Sequence, residues 1–169
     1  MRIHTLLSTL AVAGMLTPPT QAAEPVSGSV TVTASKAAVL DLLADHTQTL
    51  RMCPDVRAVR VVRTLAQGCA ELEVETSGLL SPMHYVSRRC RTADGSTEEM
   101  LRSEDFYINN FVWSVTDAGA VRRVSLVVRS EPRLPVPEWI LGSAVRRSVE
   151  ATLANFAARV EAAAASPAR

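Results

Sequence analysis

The chain has 169 residues, with 18 Lys plus Arg against 17 Asp plus Glu and apolar side chains at 47% of positions. A balance this close to neutral argues against a nucleic-acid partner, which calls for a strongly basic face. The basic residues are nearly all arginine, which reflects genome base composition more readily than function.

The first segment, MRIHTLLSTLAVAGMLTPPTQAA over residues 1–23, has Arg2 near its start, an apolar run from Leu6 to Leu16 and small residues before Glu24. That order reads as a secretory signal peptide cleaved near Ala22 or Ala23, and the apolar run is too short to span a bilayer. No cysteine follows it where a lipid anchor would attach, so the expectation is a soluble protein of a Gram-negative periplasm. Cleavage removes Arg2 and leaves 17 charges of each sign. One domain over residues 24–163 and a fraying, alanine-rich tail over 164–169 account for the rest, enough chain for a single real core. No later stretch is long and apolar enough for stable membrane insertion, so any membrane contact is expected to be transient.

In VSGSVTVT, Val26, Gly28, Val30 and Val32 alternate inward as a first strand. Ser35 caps a helix through KAAVLDLLAD, and HTQTLRMCPD, ended by Pro54, is a second short helix or a loop. Asp55 to Leu65 forms a second strand. The stretch GCAELEVETSGLLSPMHYVSRRC, Gly68 to Cys90, then reads as a hairpin closed over Gly78 to Ser81. Its register sets Glu75 opposite His84, Glu71 opposite Arg88 and Cys69 opposite Cys90 on one face. The other face carries Ala70, Leu72, Val74 and Thr76 opposite Arg89, Ser87, Tyr85 and Met83. An exported protein permits a disulfide between Cys69 and Cys90, the alternative being three buried thiols, and Cys53 has no evident partner.

Asp94-Gly95 is a two-residue turn signal, so Ser96 to Asp105 pairs back as a fifth strand. That turn sets Arg91 opposite Glu98, Arg89 opposite Met100 and Tyr85 opposite Glu104. A last hairpin, Asn110 to Val115 with Val121 to Arg129, closes over Ala118-Gly119 and places Trp113 opposite Val124 and Phe111 opposite Leu126. After EPRLPVPEW a long helix runs from about Pro137 to Ala163. Its Leu141, Val145, Val149, Leu153, Phe156 and Val160 recur at helical spacing.

The order is strand, one or two short helices, six strands and a long amphipathic helix, an α+β arrangement in which that helix must cover the sheet. Asp45 after the first helix, Pro54 and Val56 opening the second strand, Trp113 in the penultimate strand, and Pro137 with Trp139 entering the last helix carry a likeness. On these features the chain resembles the polyketide cyclase/dehydrase and lipid transport family of the START-like, helix-grip superfamily (SRPBCC). The tryptophan that often precedes the early proline is replaced by Met52 and Cys53. The resemblance implies a curved seven-stranded antiparallel sheet wrapped around the C-terminal helix, with a cavity for a hydrophobic or amphipathic small molecule between them.

On that reading Tyr85 and Arg89 face the cavity with Arg102 and Glu104, and Phe111, Trp113, Leu126, Val145, Val149 and Leu153 lie along the ligand body. The expected ligand has a small polar or anionic head near Arg89 and Tyr85. His46 and His84 show no metal-ligand spacing, and no nucleophile elbow, phosphate loop or dinucleotide fingerprint appears, so neither metal nor cofactor is expected. The favoured function is an exported carrier for a lipid, quinone or polyketide-like molecule. A cyclase or dehydratase using the polar pocket residues, and an interaction module without a significant cavity, remain the alternatives.

Overall fold

The computed structural model describes residues 24–78 and 81–165. The expected signal peptide, the middle of the Gly78 to Ser81 turn and tail residues 166–169 lie outside the described residues. Strand β1 (Val26–Val32) is followed by helices α1 (Lys36–Ala44) and α2 (His46–Arg51). Strands β2 (Val56–Thr64), β3 (Cys69–Thr76), β4 (Met83–Thr92), β5 (Gly95–Arg102), β6 (Phe106–Ala118) and β7 (Val121–Pro132) lead to the long helix α3 (Glu138–Ala165). One antiparallel sheet has the order β1-β7-β6-β5-β4-β3-β2. Each strand after β2 therefore folds back on its predecessor, and β1 completes the sheet beside β7. No helix among the described residues is long and apolar enough to cross a membrane.

Local chemistry sets the helix ends. The Ser35 hydroxyl accepts from the Ala38 N–H at 3.2 Å, and the Asp45 carboxylate accepts from the Gln48 N–H at 2.9 Å. Asp45 closes α1 and opens α2 at once, which fixes the corner between them. The Gln48 backbone N–H, helped by the Gln48 and Thr47 side chains, holds the Asp45 carboxyl below its ordinary range.

The core lies where α3 meets the sheet. Val149, Leu153, Phe156 and Val160 of α3 pack with Val32, Trp113, Val115, Val124 and Leu126, and Trp113 leans on Phe156 with ring centroids 5.1 Å apart. Each such buried side chain contributes roughly 1.5 to 3 kcal/mol. A Cβ at Gly28 would lie 2.9 Å from Leu153 Cδ1 and 3.0 Å from Val149 Cγ1, so the glycine lets the helix lie close on β1. Every fully buried residue of α3 lies at or beyond Val149. Its first three turns are only half-buried, and the space beneath them is the cavity described below.

The β3–β4 hairpin has the register counted from its turn, with Cys69 opposite Cys90, Glu71 opposite Arg88 and Glu75 opposite His84. Cys69 and Cys90 form a disulfide. Two other hairpins differ from expectation. Between β4 and β5 the turn is Ala93-Asp94, because Gly95 already pairs with Thr92. Gly95 is needed elsewhere: a Cβ there would lie 2.0 Å from the Trp113 carbonyl oxygen, so only glycine admits β6 at this distance. Partners therefore move by two, and Arg89 faces Glu98 while Arg91 faces Ser96.

Between β6 and β7, Ala118 pairs with Val121, so Trp113 faces Leu126 and Phe111 faces Val128. Gly119 takes the first central turn position with φ of 69°, as type II′ hairpins require. A shift of two preserves the side-chain face in both cases and changes only the partner.

Candidate functional site

A cavity of about 530 Å³ opens between the sheet and the first half of α3. Its sheet wall comes from Met83 and Tyr85 of β4, Phe106, Asn109 and Phe111 of β6, and Leu126, Val128 and Ser130 of β7. Ile140, Leu141, Ala144, Val145, Val149 and Thr152 of α3 form the roof, while Pro54 to Val56 and Leu134 with Val136 complete the rim. The lining is mostly apolar, with a few polar groups, the composition usual for small-molecule sites. A second hollow of about 630 Å³ lies between β1 and the start of α3, where Glu24, Glu138 and Arg146 make it more polar.

At the inner end the polar groups belong to β4 and β5. Arg89 and Glu98, 1% and 2% exposed, form an ion pair with Nη1 3.1 Å from Oε2. Arg89 Nη2 donates to Ser96 Oγ at 2.8 Å, and Ser87 Oγ donates to Glu98 Oε1 at 2.8 Å. Arg89 Nε is also buried and has no hydrogen-bond partner among the described residues, so the pair is satisfied only in part. Neither side chain lines the cavity.

Tyr85 does line it. Its ring packs edge-on against Phe106 at 5.9 Å between centroids, and its hydroxyl is buried with no hydrogen-bond partner among the described residues. Burial first, and then the Glu98 carboxylate, pushes the Tyr85 hydroxyl well above its usual pKa. Cys53 lies at the same end beside Thr152, and burial pushes its thiol up to about 11. His46 on α2 is held below its normal value by burial and by the Arg89 charge.

The residues named from the sequence therefore separate into groups. Tyr85, Phe111, Leu126, Val145 and Val149 line the cavity. Trp113 and Leu153 belong to the solid core beside it. Arg89 is committed to Glu98 behind Tyr85. Arg102 and Glu104 correct the expectation: both are exposed, since a bulge between Val86 and Ser87 sets Arg102 opposite Val86 and β5 ends there. Tyr85 consequently has no partner on β5, and the pairing with Glu104 does not form.

Sequence reasoning passed over Glu98, Cys53, Asn109 and Thr152. The signal for Glu98 was present, because even the expected register put it on the same face as Arg89, two residues along. Asn109 reads as a turn former but is a strand residue paired with Ser130 and 4% exposed. Among the described residues no three His, Cys, Asp or Glu side chains are grouped to hold a metal ion.

This sheet, gripping one long helix over a cavity, has counterparts among solved structures. A START superfamily protein from Mycobacterium smegmatis superposes with a TM-score of 0.72 at 16% identity, over 82% of this chain and 98% of that one. The chain has a START-like, helix-grip fold. The Zhui aromatase/cyclase from Streptomyces sp. R1128 matches with a TM-score of 0.70 at 17% identity, over 82% and 93% of the two chains. A STAR-related lipid transfer protein from Xanthomonas axonopodis gives 0.61 at 18% identity, over 80% and 85%. No protein-family model matches the chain, and comparison with curated proteins finds no match. At these identities the START-like likeness is one of fold.

Proposed function

We propose that the protein is an exported, soluble carrier that holds an apolar or amphipathic small molecule between the sheet and α3. The observation that carries this reading is the apolar cavity of about 530 Å³ with Tyr85 at its inner end. A START-like neighbour named as a lipid transfer protein supports the same use of the space. Another neighbour is named as an aromatase/cyclase, so catalysis is the competing reading. Two buried lining groups favour the carrier: the Tyr85 hydroxyl and Cys53 thiol are both shifted away from neutral pH, where a general base or nucleophile would need to work. Export rests on the leader-like segment over residues 1–23.

Mass spectrometry of organic extracts from natively purified protein tests the proposal. A carrier yields an apolar metabolite in near-stoichiometric amount. Protein that copurifies with another chain and no small molecule would instead indicate an interaction module.

A further inference from the structure

Resting on that carrier reading, we infer that the hollow between β1 and the start of α3 seats the head of the ligand, and that this head is a zwitterion with one cationic and one anionic group. The first support is continuity. The hollow of about 630 Å³ shares Val128 and Ser130 of β7 and Leu141 and Val145 of α3 with the apolar cavity, so the two spaces adjoin at these side chains. One molecule can therefore keep its apolar body in the cavity and its head in the hollow. The second support is Gly142, in the second turn of α3, which lines the hollow at a point where a Cβ would have nothing within 4 Å. Glycine inside a helix is less stable than alanine, and no neighbour here requires it. Its effect is to leave the hollow open.

The charges around the hollow decide the head. Glu24, Glu138 and Arg146 line it and are exposed, and no side chain of the three has an ion-pair or hydrogen-bond partner among the described residues. Eight positions separate Glu138 from Arg146, roughly 12 Å along the helix axis, so they are placed for the two ends of a dipolar head rather than for each other. Trp139, 76% exposed, adds an aromatic face that attracts a cation. Arg146 presents the planar fork that suits a phosphate or another oxyanion. An anionic head alone would have one arginine against two carboxylates, and a cationic head alone would meet Arg146; a zwitterion complements both signs. Because these groups are exposed, such a head keeps much of its water and avoids the cost of burying a charge. Arg89, expected beside the head, lines neither space and is engaged by Glu98.

Displacement of the fluorescent probe N-phenylnaphthylamine by dodecylphosphocholine, dodecanoate and dodecylamine, each below its micelle-forming concentration, tests the site. The parent should bind the zwitterion more tightly than either singly charged competitor. Arg146→Gln should weaken dodecylphosphocholine by roughly threefold to tenfold, the worth of one hydrogen bond, and leave the uncharged probe unaffected. Gly142→Leu should weaken dodecylphosphocholine at least as much without lowering the melting temperature, since leucine favours the helix and its Cβ meets no neighbour. Equal binding of the three competitors by the parent, or unchanged dodecylphosphocholine binding in Arg146→Gln and Gly142→Leu, would overturn the inference. So would a larger loss in Arg147→Gln, because Arg147 lines the cavity and not the hollow. A parent protein that binds no probe would overturn the carrier reading, and this inference with it.

Discussion

Arg89 and Glu98 stand directly opposite each other on β4 and β5, sealed from solvent, with Arg89 Nη1 3.1 Å from Glu98 Oε2. Arg89, expected beside the ligand head, is engaged by Glu98 and lies outside the cavity lining. Removing one partner leaves an uncompensated buried charge, which typically costs about 3 to 5 kcal/mol, whereas replacing both with apolar residues is often neutral or stabilising. Arg89→Met and Glu98→Leu should each lower the urea midpoint sharply, and the double variant should recover most of the loss. Additive losses in the double variant would show that the pair is not the unit of stability.

The Cys69–Cys90 bridge joins β3 to β4 across a sequence separation of 21. Loop closure of this size contributes roughly 3 kcal/mol by restricting the unfolded chain. Thiol counting on denatured, unreduced protein should find Cys53 alone reactive among the three cysteines. Reduction should lower the melting temperature while leaving the fold assembled. Three reactive thiols before reduction would contradict the bond.

Asp45 caps α2, so Asp45→Ala should cost about 1 kcal/mol in denaturant unfolding. The pH dependence has a definite sign. The folded carboxyl is held below its ordinary value of 3.8, so its contribution is fully present above that value and is lost as pH falls through the folded pKa. The gap between parent and variant should narrow as the pH is lowered through this window. A gap that widened in acid would contradict the capping role.

How far the sequence reveals this molecule differs between hairpins for physical reasons. Alternation of two and a turn of four residues are enough to place Cys69 opposite Cys90, and the likeness to helix-grip proteins follows from element order. Asp94-Gly95 misleads because glycine has two uses. It favours tight turns, but Gly95 is spent on the close approach of the Trp113 carbonyl, which no local pattern announces. The same shift hides Glu98 as the partner of Arg89. The bulge at Val86 and Ser87, which removes Arg102 and Glu104 from the site, is likewise a tertiary feature. Periodicity identifies Val145 and Val149 as inward-facing, but it cannot tell a cavity wall from the solid core that holds Leu153 and Trp113.

The most direct test is binding of N-phenylnaphthylamine to the parent and to Ala144→Phe. Ala144 lies on the half-buried first part of α3 and lines the cavity, so a ring there fills ligand space without entering the buried core around Phe156. The account predicts saturable, near-stoichiometric probe binding by the parent, at least tenfold weaker in Ala144→Phe, with an unchanged melting temperature. Equal binding by the two proteins would place the ligand elsewhere and contradict the cavity as the site of function.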